Sequence, residues 1–188
     1  GYTPCGDNEA ALQVARALGA QVEQDGTLLT ITGISASLGA LGTNVSADND
    51  SDALESQTLH VGESGLLTRM MIPVMAQLCP GKVILTGEKT LLGRPLTGAK
   101  AILEAFGAEC RSIDGTDARE LCIPLEVSGP LKAGRAEVSG KHGSQIISGL
   151  LMALPFADRN SSLIVHEPKS IPYTFITLEV LKKFGVKI

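Results

Sequence analysis

Apolar positions along this chain change period several times, and the changes divide it into elements. Residues 64–78, SGLLTRMMIPVMAQL, are apolar on nearly every side, which predicts an interior helix, with Ser64 placed to cap it. LHV at 59–61 leads into it as a strand, and KVILTG at 82–87 alternates as a strand does. Pro95 opens a second helix that runs to Phe106, because its fixed φ suits a first helical turn, and Gly107 ends it. AECRSI (108–113) and ELCIPLEVSG (120–129) then read as two strands joined by the turn-forming DGTDAR. The unit is strand, helix, strand, helix, strand, strand.

The same order returns further on. AEVSG (136–140) is a strand, 144–157 a second helix that is apolar all round, SLIVHE (162–167) a strand, Pro172 to Phe184 a helix, and VKI a strand beginning. FGVKI at 184–188 echoes FGAEC at 106–110. The opening residues fit the frame from its middle: helix 8–19, strand 20–26, strand 27–33. The pattern predicts a mixed α/β fold of repeated βαβαββ units in one partial domain, 1–188: a half unit at 1–33, a full unit at 58–129 and a nearly full unit at 135–188. The expectation is a piece of a longer protein whose second domain is absent. Residues 33–57, rich in Gly, Ser, Asn and Asp, read as an exposed loop.

Composition narrows the function. At 188 residues, 44% hydrophobic and 19% charged, the chain has enough apolar content for one real core. Its longest apolar run, at 146–157, is too short to span a bilayer. Net charge is −4 with two Tyr and no Trp, unlike a nucleic-acid surface with its basic stripe and stacking aromatics. Cys5, Cys79, Cys110 and Cys122 share no ligand spacing and read as small buried hydrophobes in a reducing compartment. A cytoplasmic protein that meets neither membrane nor nucleic acid is expected.

Candidate chemistry gathers at the helix starts. GESGLLTR, GRPL, KHGSQ and KSIPY each set small or polar residues beside a cation, and a helix N-terminus offers free N–H groups and partial positive charge to an anion. Arg69, Arg94, Lys141 and Lys169 lie at or near these starts. Arg94 is the best placed, because Pro95 holds it out of helical geometry.

At these residues the sequence resembles the enolpyruvyl transferase family, on its shikimate-pathway branch. GESGLLTR (62–69) is similar to that family's GN(A/S)GT-x-x-R loop, GRPL to its RP-x-x-x-L helix start, KHGSQIISGLLMALP (141–155) to its SSQ segment, and SIPYTFITLEVLKKFGV (170–186) to its S-x-PY segment. The resemblance implies domains of three such units with helices inside and sheets outside, and substrates held between two domains. It implies transfer of the enolpyruvyl group of phosphoenolpyruvate to the 5-hydroxyl of shikimate 3-phosphate, with loss of phosphate and no metal or organic cofactor. By motif matching, Gly65 and Arg94 hold phosphoenolpyruvate, Gly143, Ser144 and Ser170 the shikimate phosphate, Gln145 both ligands, and Tyr173 the shikimate side. No catalytic acid or base is expected within these residues, so the chain alone is expected to be inactive. Three positions depart from the pattern: Glu63 and Leu66 replace Asn and Thr, and Gly143 replaces the first Ser. The alternatives are a UDP-N-acetylglucosamine enolpyruvyl transferase, recognised by a reactive loop cysteine, and a non-catalytic anion-binding domain.

Overall fold

A computed structural model describes residues 1–33, 57–79, 81–113 and 120–188. The DGTDAR turn and almost all of the 33–57 stretch lie outside the described residues. In chain order the elements are α1 (Gly6–Ala17), β1 (Gln21–Asp25), β2 (Leu28–Thr32), β3 (Gln57–His60), α2 (Gly65–Leu78), β4 (Lys82–Thr86), α3 (Ala99–Glu104), β5 (Glu109–Ser112), β6 (Leu125–Ser128), β7 (Arg135–Ser139), α4 (Gln145–Ala153), β8 (Ser162–His166) and α5 (Ile171–Lys183). β1 and β2 form an antiparallel hairpin, β3-β4-β6-β5 a four-stranded sheet, and β7-β8 a parallel pair. Within the larger sheet β3 and β4 are parallel, and β6 runs antiparallel to both β4 and β5.

Two of the helices form the interior. Ser64 caps α2 by accepting the Leu67 N–H, and the chain stays helical through Pro73. α2 buries Met71, Ile72, Val74 and Met75; α4 buries Ile146, Ile147 and Leu150. Leu59, Val61, Val83, Leu85, Leu125 and Val127 close the core from the sheet side. The helices lie side by side and run the same way, since Gly149 meets the Met70–Pro73 turn and, farther along both, the Gln77 amide donates to the Phe156 carbonyl at 2.9 Å. α5 differs: none of its residues is buried, and Tyr173, Phe175, Ile176 and Val180 are exposed.

Several expected boundaries are corrected. The second helix begins at Ala99 rather than Pro95. Residues 94–98 are taken up by other contacts: the Leu96 N–H donates to the Leu121 carbonyl at 2.8 Å, its side chain is buried, and Gly98 turns the chain at φ 79°. The strand expected at 120–129 is limited to Leu125–Ser128, because Leu121 pairs with that loop instead of with a neighbouring strand. α4 gives way at Leu154 to a 3-10 turn over Leu154–Phe156, where Pro155 has no N–H to continue the α ladder. Residues 186–188 form no strand; β5, which also follows a helix and a glycine turn, is held by β6 alone, and no described strand stands beside 186–188 in that way.

Candidate functional site

Parallel strand pairing sets where the loops fall. β3 and β4 end together: the Val61 N–H donates to the Thr86 carbonyl at 2.9 Å and the Glu88 N–H to the Gly62 carbonyl at 3.0 Å. β7 and β8 do the same, with the Gly140 N–H on the His166 carbonyl at 2.7 Å and the Lys169 N–H on the Gly140 carbonyl at 3.3 Å. Each pair therefore delivers two loops to one edge, where α2, α4 and α5 begin. Because α2 and α4 are parallel neighbours, the two edges adjoin. A cleft there is lined by Arg69, Thr97, Ser139, His142, Gly143 and Gln145.

Positive charge is concentrated over the start of α2. A Cβ built on Gly65 would stand 3.2 Å from an Arg69 guanidinium nitrogen and 3.4 Å from one of Arg94, so the missing side chain gives both guanidinium groups room to close on this backbone. Arg69 donates to the Gly65 carbonyl at 3.0 Å and the Pro95 carbonyl at 2.9 Å. Among the described residues neither arginine pairs with a carboxylate. Burial first, and the charge of Arg94 second, push the Arg69 pKa below its ordinary value. Such uncompensated charge favours an anion, which would relieve the repulsion.

The other expected residues are placed as follows. Gln145 is half-buried in the first turn of α4 and lines the cleft. Ser144 is buried just before it, and its hydroxyl makes no capping bond. The Gly143 N–H donates to the Gly140 carbonyl at 3.1 Å. Gly143 has φ 116°, a conformation that serine rarely adopts, which accounts for glycine at this point. Ser170 is exposed in a left-handed conformation, φ 53°, at the start of α5, and its carbonyl accepts the Tyr173 N–H at 3.1 Å. Tyr173 is exposed on the first turn of α5. Neither Ser170 nor Tyr173 is among the residues lining the cleft between the two units.

The structure sharpens one candidate that the sequence offered, Arg69, and adds three residues that the motifs left aside. Arg69 lies one turn inside α2, where the sequence allows a solvated face as readily as a ligand contact, and only folding brings it onto Pro95 and Arg94. Thr97, Ser139 and His142 carry no motif signal. His142 reaches the first unit, 3.0 Å from where a Gly98 Cβ would be. No group of three or more His, Cys, Asp or Glu that could hold a metal occurs among the described residues. Cys79 and Cys110 are buried as expected, and burial pushes the Cys79 thiol up to about 11, so neither offers a reactive loop thiolate, whereas Cys5 is exposed and Cys122 half-buried, which corrects the expectation for those two.

This arrangement can be set beside known proteins. A family model described as EPSP synthase (3-phosphoshikimate 1-carboxyvinyltransferase) matches residues 1–188. A 3-phosphoshikimate 1-carboxyvinyltransferase of Methanococcoides burtonii is 33% identical over 183 residues, 97% of this chain and 38% of that relative. The protein of the same name from Clostridium novyi is 36% identical over 136 residues, 72% of this chain and 30% of the relative. An EPSP synthase structure from Acinetobacter baumannii superimposes with a TM-score of 0.74 at 22% identity, covering 98% of this chain and 37% of that one. The chain thus has the enolpyruvyl-transferase-like mixed α/β fold and spans well under half the length of the relatives it matches.

Proposed function

Because the chain belongs to the EPSP synthase family over residues 1–188, we propose that it supplies one wall of an enolpyruvyl transfer site. There the 5-hydroxyl of shikimate 3-phosphate attacks the central carbon of phosphoenolpyruvate. The new C–O bond forms as the hydroxyl gives up its proton and the methylene carbon gains one, becoming a methyl group. The tetrahedral adduct then loses that proton and expels phosphate, which restores the double bond in the product. Both substrates are anions, so the wall's task is to bind and orient them and to draw negative charge off the leaving phosphate.

One observation carries this reading: Arg69 and Arg94 converge on the side-chain-free backbone of Gly65 with no carboxylate partner among the described residues. They suit phosphoenolpyruvate. Gln145, which lines the same cleft as Arg69 and Gly143, is assigned to both ligands, and Ser144, Ser170 and Tyr173 to the shikimate 3-phosphate by their motif positions. No helix among the described residues is long and apolar enough to cross a membrane. The protons, and the second wall that excludes water, come from the part of the longer protein that this chain does not span.

Titration of the chain with phosphoenolpyruvate and with shikimate 3-phosphate, followed by NMR amide shifts, tests the proposal. Millimolar binding that perturbs residues 62–69, 93–98 and 140–147 is expected, without phosphate release. No binding by either anion would overturn the reading. Steady phosphate release by the chain alone would show that the proton-transfer groups lie within it.

A further inference from the structure

Glu63 is a carboxylate two residues before Gly65, at the mouth of a site whose other features attract anions. Its side chain does not face that site freely. One carboxylate oxygen lies 3.0 Å from Lys89 Nζ and the other accepts the Thr90 hydroxyl at 3.1 Å. Lys89 itself sits in the left-handed region, φ 50°, which a lysine enters only at a cost, and this bends the 89–91 turn back toward Glu63. The turn is fixed on both sides: the Glu88 N–H donates to the Gly62 carbonyl at 3.0 Å, and the Leu91 side chain is buried against the core. Three residues on, the Arg94 N–H donates to the Leu91 carbonyl at 3.2 Å.

Resting on the anion-site reading above, we infer that Lys89 and Thr90 form an electrostatic latch that withdraws and neutralises the Glu63 carboxylate, so that the Arg69–Arg94 site keeps its affinity for anions. Glu63 and Lys89 are positioning residues in this account; neither touches the substrate. The latch differs from a simple mechanical brace in one respect. A brace is broken equally from either end, whereas the latch matters only while Glu63 is charged. Removing Lys89 and Thr90 as partners leaves the Glu63 charge unpaired beside the site, while removing Glu63 takes that charge away and leaves Lys89 to Glu88, 3.8 Å from it, so the two ends have opposite effects on anion affinity.

The experiment measures inorganic phosphate and phosphoenolpyruvate affinity by NMR titration at low ionic strength for four forms of the full chain: wild type, Glu63→Gln, Lys89→Gln with Thr90→Val, and all three substitutions together. These are exposed positions, and an unchanged amide spectrum away from 62–94 verifies the fold of each. Expected results are affinity weakened about threefold to tenfold in the Lys89/Thr90 variant, equal or tighter binding in Glu63→Gln, and recovery to within about twofold of wild type in the triple variant. Equal weakening in all three variants would show a mechanical brace and overturn the inference, as would no change in any of them. Absence of binding by the wild type would instead overturn the anion site on which the inference stands.

Discussion

Gly149 of α4 lies so close to α2 that a Cβ there would stand 2.4 Å from the Met70 carbonyl oxygen and 2.6 Å from the Pro73 ring. Neither neighbour can turn aside, one being backbone and the other a ring. The parallel contact of α2 with α4, which brings the two helix starts together, therefore depends on a missing side chain. Gly149→Ala gains up to about 1 kcal/mol of helix propensity but overpacks the contact, which typically costs about 1–3 kcal/mol and more where backbone must move. Overpacking wins. Urea unfolding should show a net loss of about 1–2 kcal/mol, together with a shift of the Gln145 amide as α4 is pushed away.

Ser170 gives an opposite case, in which a local rule is broken at the proposed site. Its left-handed φ of 53° costs a serine about 1 kcal/mol, which glycine would not incur. Ser170→Gly should leave stability unchanged or raise it by up to about 1 kcal/mol in thermal unfolding. The same substitution should weaken shikimate 3-phosphate binding severalfold, because the hydroxyl is lost. Unchanged affinity would remove Ser170 from the site.

Glu126 governs an acid transition on the sheet. Its carboxylate takes both Nε and Nη2 of Arg111, at 3.0 and 3.1 Å, and Lys82 Nζ at 3.1 Å. The Arg111 bonds first, then those of Lys82, hold its pKa below the ordinary carboxylate value. A folded-state pKa below the unfolded one contributes stability that is present above the unfolded value, about 4.3, and is lost as pH falls through the folded value. The stability gap between wild type and Glu126→Gln should be flat from pH 7 to about pH 5 and shrink below that. A gap still constant at pH 3 would mean that the ion pairs contribute nothing.

How far the sequence could foretell these relationships depends on the range over which each is set. Ser64 capping α2 is local, and so it is legible: the side chain meets an N–H three residues on. The strand at 82–87 follows from period, whereas the one expected at 59–61 lies at Gln57–His60, and the parallel pairing of the two is set by the fold. Pro95 suits a first helical turn as well as it suits a loop, and the start of α3 is decided by Leu121, 25 positions from Leu96, whose carbonyl takes the Leu96 N–H. Arg94, Gln145 and Ser144 were visible through motifs. Arg69 was ambiguous, since its partners are the carbonyl of its own first turn and that of Pro95. Glu63 is legible only as a departure from the motif, and the left-handed turn at Lys89 shows where its charge is held.

The two arginines should separate binding from folding. Arg94 is exposed, and no side-chain bond from it to the described residues competes with a ligand, so Arg94→Ala should leave unfolding free energy within about 0.5 kcal/mol of wild type. Phosphoenolpyruvate affinity should nevertheless fall tenfold or more, about 1.4 kcal/mol. Arg69 is half-buried and its guanidinium ties the Gly65 carbonyl of α2 to the Pro95 carbonyl; Arg69→Ala loses this tie and the packing of its stem, so stability should drop by about 1 kcal/mol together with affinity. Arg94→Lys should restore little, because an ammonium lacks the planar fork that meets two oxygens of a phosphate or carboxylate at once. Calorimetric titration beside urea unfolding of the three variants reads both quantities. Arg94→Ala with full affinity would place the anion elsewhere on the edge, and with it the wall that this chain is proposed to form.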